Sequence, residues 1–261
     1  MDIIVCVKQV PDTTEVKLDP KTNTLIRDGV PSIVNPFDKN AVEAALQLKE
    51  NYGGTVTVIT MGPPQAKTAL KECLAMGADE GILVSDRAFA GADTWATSYT
   101  LANAIKKIGK YDIVLCGKQA IDGDTAQVGP GIAEQLDITQ ITYIQKIIGI
   151  ENQVLQAERV IEGGVEIVEA RFPVVLTVEK SINEPRYPTL KGTRKANKKE
   201  IPTYTAEDMG ADMECIGLKG SPTHVKRIFT PEVRGKGEII SGEPKEAGKN
   251  LVEKILELKI L

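Results

Sequence analysis

Short apolar runs alternate with longer amphipathic stretches through the first half of the chain. Residues 3–7, 56–60, 81–84 and 113–116 are brief, largely β-branched and unbroken by charge. Such runs predict strands of a parallel sheet covered on both faces. The stretches between them repeat apolar positions at helical spacing. Residues 38–51 carry Ala41, Val42, Ala45, Leu46 and Leu48 on one side, residues 64–76 carry Ala66, Leu70, Cys73 and Leu74, and residues 93–108 carry Trp95, Tyr99, Ala102 and Ile105. A further helix is predicted over 127–136. The alternation predicts an α/β fold on a doubly wound, mostly parallel sheet.

The period then changes. Residues 141–150, 153–161 and 165–170 are separated by turns at Glu151-Asn152 and Gly163-Gly164, which predicts a small antiparallel excursion. Residues 172–177 return to a buried strand, with Pro173 confined to its start. From Asn183 onward prolines recur at 185, 188 and 202, and residues 191–199 hold five basic side chains and no acid. Residues 183–247 read as an extended C-terminal arm reaching off the core, and residues 250–258 as a last helix. So long an irregular segment predicts a partner surface. The expected organisation is a nucleotide-binding α/β domain over 1–182 and a partner-contacting arm with its helix over 183–261.

Composition narrows the function. The chain has 261 residues, 42% of them hydrophobic, enough for one large core or a core plus an excursion. A net charge of −4 argues against a general affinity for nucleic acid or anionic membrane, and 4% aromatics argue against base-stacking platforms. Cys6, Cys73, Cys116 and Cys215 show no CxxC spacing, and His224 is the single histidine, so no common zinc pattern is present. Cys6 and Cys116 lie in apolar runs and read as reduced core thiols of a cytosolic protein. The opening Asp2-Ile3-Ile4-Val5 reads as a strand without a basic leader, and no apolar run approaches the roughly 20 residues that span a bilayer. A cytoplasmic location without membrane insertion is expected.

In an open parallel sheet, ligands bind beyond the carboxyl ends of the strands. The loops expected there are 7–9, 61–63, 85–93 and 117–131, with Thr94 and Thr97 opening the helix after the third. The last loop is the most informative. Gly117, Gly123, Gly129 and Gly131 admit close backbone approach, Thr125 and Gln127 offer polar side chains, and a helix begins within it. Exposed amides at a helix start bind phosphate well. A glycine-rich turn that merely caps a helix has the same composition, and both readings stand. Neither GxGxxG nor GxxxxGK[ST] occurs. Asn35-Pro36-Phe37-Asp38 precedes the first helix, and Pro36 or Asp38 suits a helix entrance without any ligand. His224 lies in the polar arm, no GxSxG elbow exists, and Asp122 and Asp124 fit a solvated loop. A nucleotide pocket without a convincing acid, base or nucleophile suits a cofactor that carries the chemistry.

The chain resembles the β (small) subunit of electron transfer flavoproteins along essentially its whole length. The most specific stretch runs from Ala157-Glu158-Arg159 through Glu162-Gly163-Gly164 to Pro173-Val174-Val175-Leu176-Thr177. The opening Val7-Lys8-Gln9-Val10-Pro11-Asp12, Asn35-Pro36-Phe37, Ala75-Met76-Gly77-Ala78-Asp79, Gly117-Lys118-Gln119-Ala120-Ile121-Asp122 and the arm entry at 181–188 fit as well. The resemblance implies a heterodimer with a larger electron transfer flavoprotein α subunit that holds a redox-active FAD. It implies that the small subunit's own pocket takes AMP or a second FAD. The ligand contacts it implies fall on Cys6, Asn35, Pro36, Phe37, Asp38, Met61, Gly62 and the loop Ala120, Ile121, Asp122, Gly123, Asp124, Thr125, Ala126, Gln127, Val128, Gly129, Pro130 and Gly131; Thr94 and Thr97 are added to the expected site from the strand-end loops.

Subunits that hold only AMP tend to show an Asp-Asp-Asp run in this loop. Here Asp122-Gly123-Asp124-Thr125-Ala126-Gln127 stands instead and looks like the electron-bifurcating branch, as does the stretch from Ala92 to Thr97. That branch implies FAD in this pocket, NADH as electron donor, and two acceptors: ferredoxin or flavodoxin, and an acyl-CoA dehydrogenase. The alternative is AMP in the pocket and plain electron carriage. A third reading is a regulatory nucleotide-binding module without a redox role, and the long arm and the stretch from Arg159 to Thr177 count against it. The resemblance also implies that Leu190 anchors the dehydrogenase, with Lys191, Arg194 and Lys195 around it. No residue of the chain is expected to be catalytic; NADH oxidation would need the partner chains.

Overall fold

The structure is a computed structural model and describes residues 1–12, 31–226 and 237–258. It divides into two units, Met1–Val225 and Lys226–Leu261. In the first unit β1 (Asp2–Cys6) is followed by β2 (Gln9–Pro11), β3 (Ser32–Val34), α1 (Pro36–Tyr52), β4 (Thr55–Met61), α2 (Lys67–Met76), β5 (Glu80–Val84), α3 (Thr94–Ile108), β6 (Ile113–Gly117) and α4 (Val128–Leu136). Then come β7 (Thr139–Glu151), β8 (Val154–Ile161), β9 (Gly164–Arg171), β10 (Val174–Val178), α5 (Leu190–Lys198) and β11 (Thr203–Tyr204). The second unit contains α6 (Pro244–Glu257).

Among the described residues nine strands form one sheet in the order β11-β5-β4-β1-β6-β10-β7-β8-β9. The strands from β11 to β7 run parallel, while β7-β8 and β8-β9 are antiparallel. β2 and β3 pair separately. The α/β class and the doubly wound sheet are therefore as expected, and the antiparallel excursion is part of the main sheet. One half of β7 pairs with β10 and the other half with β8. Alternation along the strands fills both faces. Ile3, Val5, Val56 and Val58 pack with α1 and α2, and Ile4, Cys6, Ile59, Val114 and Cys116 pack with α3 and α4.

Residues 183–225, expected to be part of an arm reaching off the core, depart from that expectation, whereas Lys226–Leu261 forms a unit of its own. Residues 183–225 belong to the same unit as the sheet, so residue 182 does not separate two bodies. α5 lies against α2, β11 extends the sheet beside β5, and Ile201, Ala206 and Ile216 are buried. The segment looked irregular because its partners are far away in sequence, and neither propensity nor period reports such contacts. The last helix begins at Pro244 rather than residue 250, with proline in its first turn, where a missing N–H costs nothing. Part of the expected arm, residues 227–236, lies outside the described residues.

Candidate functional site

The strand order reverses at β1. From β1 the chain moves through α1 to β4 on one side, and from β5 it returns through α3 to β6 on the other. α1 and α3 cover opposite faces, so a crevice opens between them beyond the ends of β1 and β6. A cavity of about 370 Å³ lies there. Its floor is Cys6 and Cys116, which are register partners on adjacent strands. The Cys116 thiol beside it and burial push the Cys6 thiol well above the ordinary range, which keeps it protonated.

Two buried polar side chains of the α1 entrance build the wall. Asp38 Oδ2 accepts from the Lys8 amide at 2.7 Å and Oδ1 from the Gly117 amide at 3.2 Å, which ties together the ends of β1 and β6. Burial pushes its carboxyl up from 3.8 to about 7, against the pull of those hydrogen bonds and of Lys8. Asn35 is fully buried; its Nδ2 donates to the Gln119 carbonyl at 2.8 Å, and its Oδ1 accepts from the Ile121 amide at 3.2 Å. Asn35 therefore fixes the loop that follows β6. At the mouth, Lys8 Nζ meets Asp122 Oδ1 at 2.6 Å, Lys118 Nζ meets Glu179 at 2.7 Å, and Gln119 Nε2 donates to Asp124 Oδ1 at 2.8 Å.

α4 enters this cavity by its first turn. Gln127 stands at its cap without a side-chain hydrogen bond, and Pro130 has no N–H to offer. Among the described residues the amides of Val128 and Gly129 have no partner, which leaves them for another acceptor. α3 differs: Asp93 Oδ1 accepts from the Ala96 amide at 3.0 Å and caps that helix itself. Two non-glycine residues of the loop, Asp124 (φ 50°) and Ala126 (φ 54°), take the left-handed conformation. Each costs on the order of 1 kcal/mol, a strain met in tight turns, as at Asn152 and Gln153, and in loops shaped for a ligand. The set fits a nucleotide: an apolar floor, a shaped glycine-bearing loop, and uncapped amides for a phosphate.

The cavity brings together Cys6, Asp38, Met61, Thr94, Thr97, Ala120, Gly123, Asp124, Thr125, Ala126, Val128 and Gly129 from the expected set. The others stand behind or beside it. Asn35 acts on the loop from within the wall, and Pro36 occupies the first turn of α1. The Phe37 ring lies under the Lys180 ammonium at 4.7 Å, and the Gly62 amide is bonded to the Val84 carbonyl. Ile121 is 40% exposed, Asp122 is held by Lys8, and Gln127 gives its carbonyl to the Gly131 amide. Gly131 serves helix packing, since a Cβ there would meet Ser98 Oγ at 2.4 Å. Lys8, Ala92, Asp93, Leu101, Cys116 and residues 117–119 line the cavity without having been singled out as contacts. Most lie in the strand-end loops, which was the available signal; Leu101 lies two turns into α3. Leu190, Lys191, Arg194 and Lys195 are exposed on α5.

A family model described as the electron transfer flavoprotein domain matches residues 22–209. The chain is 59% identical over 256 residues to the electron transfer flavoprotein subunit beta of Thermoanaerobacterium thermosaccharolyticum, covering 98% of each. The chain belongs to the electron transfer flavoprotein family, among its beta subunits. It is also 54% identical over 263 residues to the caffeyl-CoA reductase-Etf complex subunit CarD of Acetobacterium woodii, covering 100% of both. To protein FixA of Azotobacter vinelandii it is 48% identical over 263 residues, with 98% of this chain and 93% of the relative covered. Membership assigns the chain to electron transfer and implies an alpha-subunit partner. No helix among the described residues is long and apolar enough to cross a membrane.

Proposed function

We propose that the chain is the small subunit of an electron-bifurcating electron transfer flavoprotein, with FAD in the cavity between β1 and β6. The carrying observation is that cavity at the strand-order reversal, where the uncapped amides of α4 meet a loop with left-handed residues at Asp124 and Ala126. A bound FAD would supply the hydride-accepting and electron-dividing chemistry, with NADH as donor. The chain's own work would be binding and orientation. The Val128 and Gly129 amides would take a phosphate, Thr94 and Thr97 would offer hydroxyls, and Asp38 and Asn35 would hold the walls. Support for FAD over AMP comes from the loop Asp122-Gly123-Asp124 and from the relative named as part of a caffeyl-CoA reductase-Etf complex.

The electrons would leave toward ferredoxin or flavodoxin, and through the alpha-subunit flavin toward an acyl-CoA dehydrogenase. Leu190 is 86% exposed on α5 beside Lys191, Arg194 and Lys195, and it would anchor that dehydrogenase. The test mixes the heterodimer with NADH, ferredoxin and an acyl-CoA dehydrogenase with its enoyl-CoA. Ferredoxin reduction that requires the enoyl-CoA acceptor is expected. NADH-driven enoyl-CoA reduction without any ferredoxin reduction would overturn bifurcation and leave plain carriage.

A further inference from the structure

Residues 183–189 lead from the sheet to α5, and the nucleotide cavity uses none of their contacts. They are held by one stripe of α1: Asn40, Glu43, Gln47 and Glu50 recur at helical spacing on one face. Asn40 Nδ2 donates to the Asn183 carbonyl at 2.8 Å, and Asn183 Nδ2 donates back to the Asn40 carbonyl at 3.0 Å. Three residues on, the Arg186 guanidinium lies between Glu43 and Glu50. Its Nε is 2.8 Å from Glu43 Oε2, its Nη2 3.0 Å from Glu43 Oε1, and its Nη1 2.5 Å from Glu50 Oε1. The Arg186 amide donates to Glu43 Oε2 as well, at 3.1 Å. The Glu43 side chain is only 5% exposed, and Gln47 Nε2 gives it one more hydrogen bond at 2.9 Å. A planar fork matched by two carboxylates fixes both the side chain and the backbone that carries it.

A second anchor lies just beyond. A Cβ on Gly192 would stand 2.2 Å from the Ala75 carbonyl oxygen, so α5 meets the end of α2 backbone to backbone. Thr189 Oγ1 accepts from the Gly192 amide at 2.9 Å, and Ala196 is buried beneath α5. Between the two anchors, Tyr187 is 91% and Leu190 86% exposed. The span is thus fixed at both ends and bare in the middle.

We propose that Arg186 is a positioning residue: clamped by Glu43 and Glu50, it holds residues 187–191 so that Leu190 meets the partner dehydrogenase in its docking arrangement. The inference rests on the reading of Leu190 as the partner's anchor. Rigid presentation removes the ordering cost that a loose span would add on binding. If the freed span held the docking arrangement for about a tenth of the time, apparent affinity would fall about tenfold. Arg186→Ala also leaves the buried Glu43 carboxylate without its cation, which threatens folding. Glu50→Ala removes the exposed half of the clamp and leaves no buried charge, so it serves as the second variant.

The experiment uses the heterodimer and a purified acyl-CoA dehydrogenase, with the transfer rate measured against dehydrogenase concentration. Arg186→Ala should raise the half-saturating concentration about tenfold and leave the maximal rate and nucleotide content as in wild type. Glu50→Ala should move it in the same direction, and Arg186→Lys should restore part of the loss. Amide hydrogen exchange over residues 187–192 should rise in Arg186→Ala. In a Leu190→Ala background the same Arg186 substitution should add less than about twofold, because a misplaced anchor that is absent costs nothing more. Full additivity in that background, or unchanged half-saturation in both Arg186→Ala and Glu50→Ala, overturns the proposal. A Leu190→Ala variant that transfers normally overturns instead the docking reading itself, and the proposal with it.

Discussion

Gly129 carries two duties, and its geometry separates them. Its amide belongs to the uncapped first turn of α4, while a Cβ on it would stand 2.4 Å from Thr177 Cγ2 on β10. Gly129→Ala should therefore cost about 1–3 kcal/mol through overpacking. Thr177→Ser removes that methyl and keeps the hydroxyl that accepts from the Tyr143 amide at 3.1 Å. Urea midpoints should show Gly129→Ala recovering most of its loss in the Thr177→Ser background. A loss of equal size in both backgrounds would place the strain elsewhere. Asp38 gives the second residue-level expectation. Its folded pKa of about 7 lies above the ordinary 3.8, so the folded chain binds the proton more tightly than the unfolded chain. The stability this adds is fully present below about pH 4 and is lost as pH rises through about 7. Asp38→Asn should cost about 1–3 kcal/mol, because an amide NH₂ faces a backbone N–H. It should also flatten the fall in stability between pH 5 and 8, and parallel pH profiles for variant and wild type would contradict the assignment. From its residues alone Asp38 read as a helix-entrance residue, and only the family resemblance made it a ligand contact. Only the fold shows it joining two strand ends.

At the scale of elements, α5 combines an exposed leucine with exposed Lys191, Arg194 and Lys195 on a short helix whose other side meets α2. Charges around a small apolar anchor mainly speed encounter, whereas the anchor sets how long the complex lasts. Replacing Lys191, Arg194 and Lys195 together by Gln should lower the association rate with the dehydrogenase about tenfold at low salt and by much less at high salt. Equal loss at all salt concentrations would contradict a steering role. How much of these elements was legible varied with the range of their contacts. The strands of the parallel sheet and α1, α3 and α4 followed from period and turn residues to within a few positions. α5 and β11 did not, because what makes them ordered is a backbone approach at Gly192 and an edge pairing with Leu83 and Val84, contacts over 100 residues long in sequence. The β7-β8-β9 strands were visible, but not that β7 continues the main sheet.

For the whole molecule, topology decides where a ligand can sit. The reversal of strand order about β1 opens the crevice, and the sequence supplies it with a shaped loop, an uncapped helix and a thiol floor. The order of strands is invisible in a single sequence, yet the loops at their carboxyl ends could be identified, and these converge on the cavity. Family membership gives electron transfer and an alpha-subunit partner. The central claim is that this cavity holds a second FAD. The most direct measurement is to denature the purified heterodimer and count the nucleotides released. Two FAD per heterodimer is the predicted result, and one FAD with one AMP would contradict it.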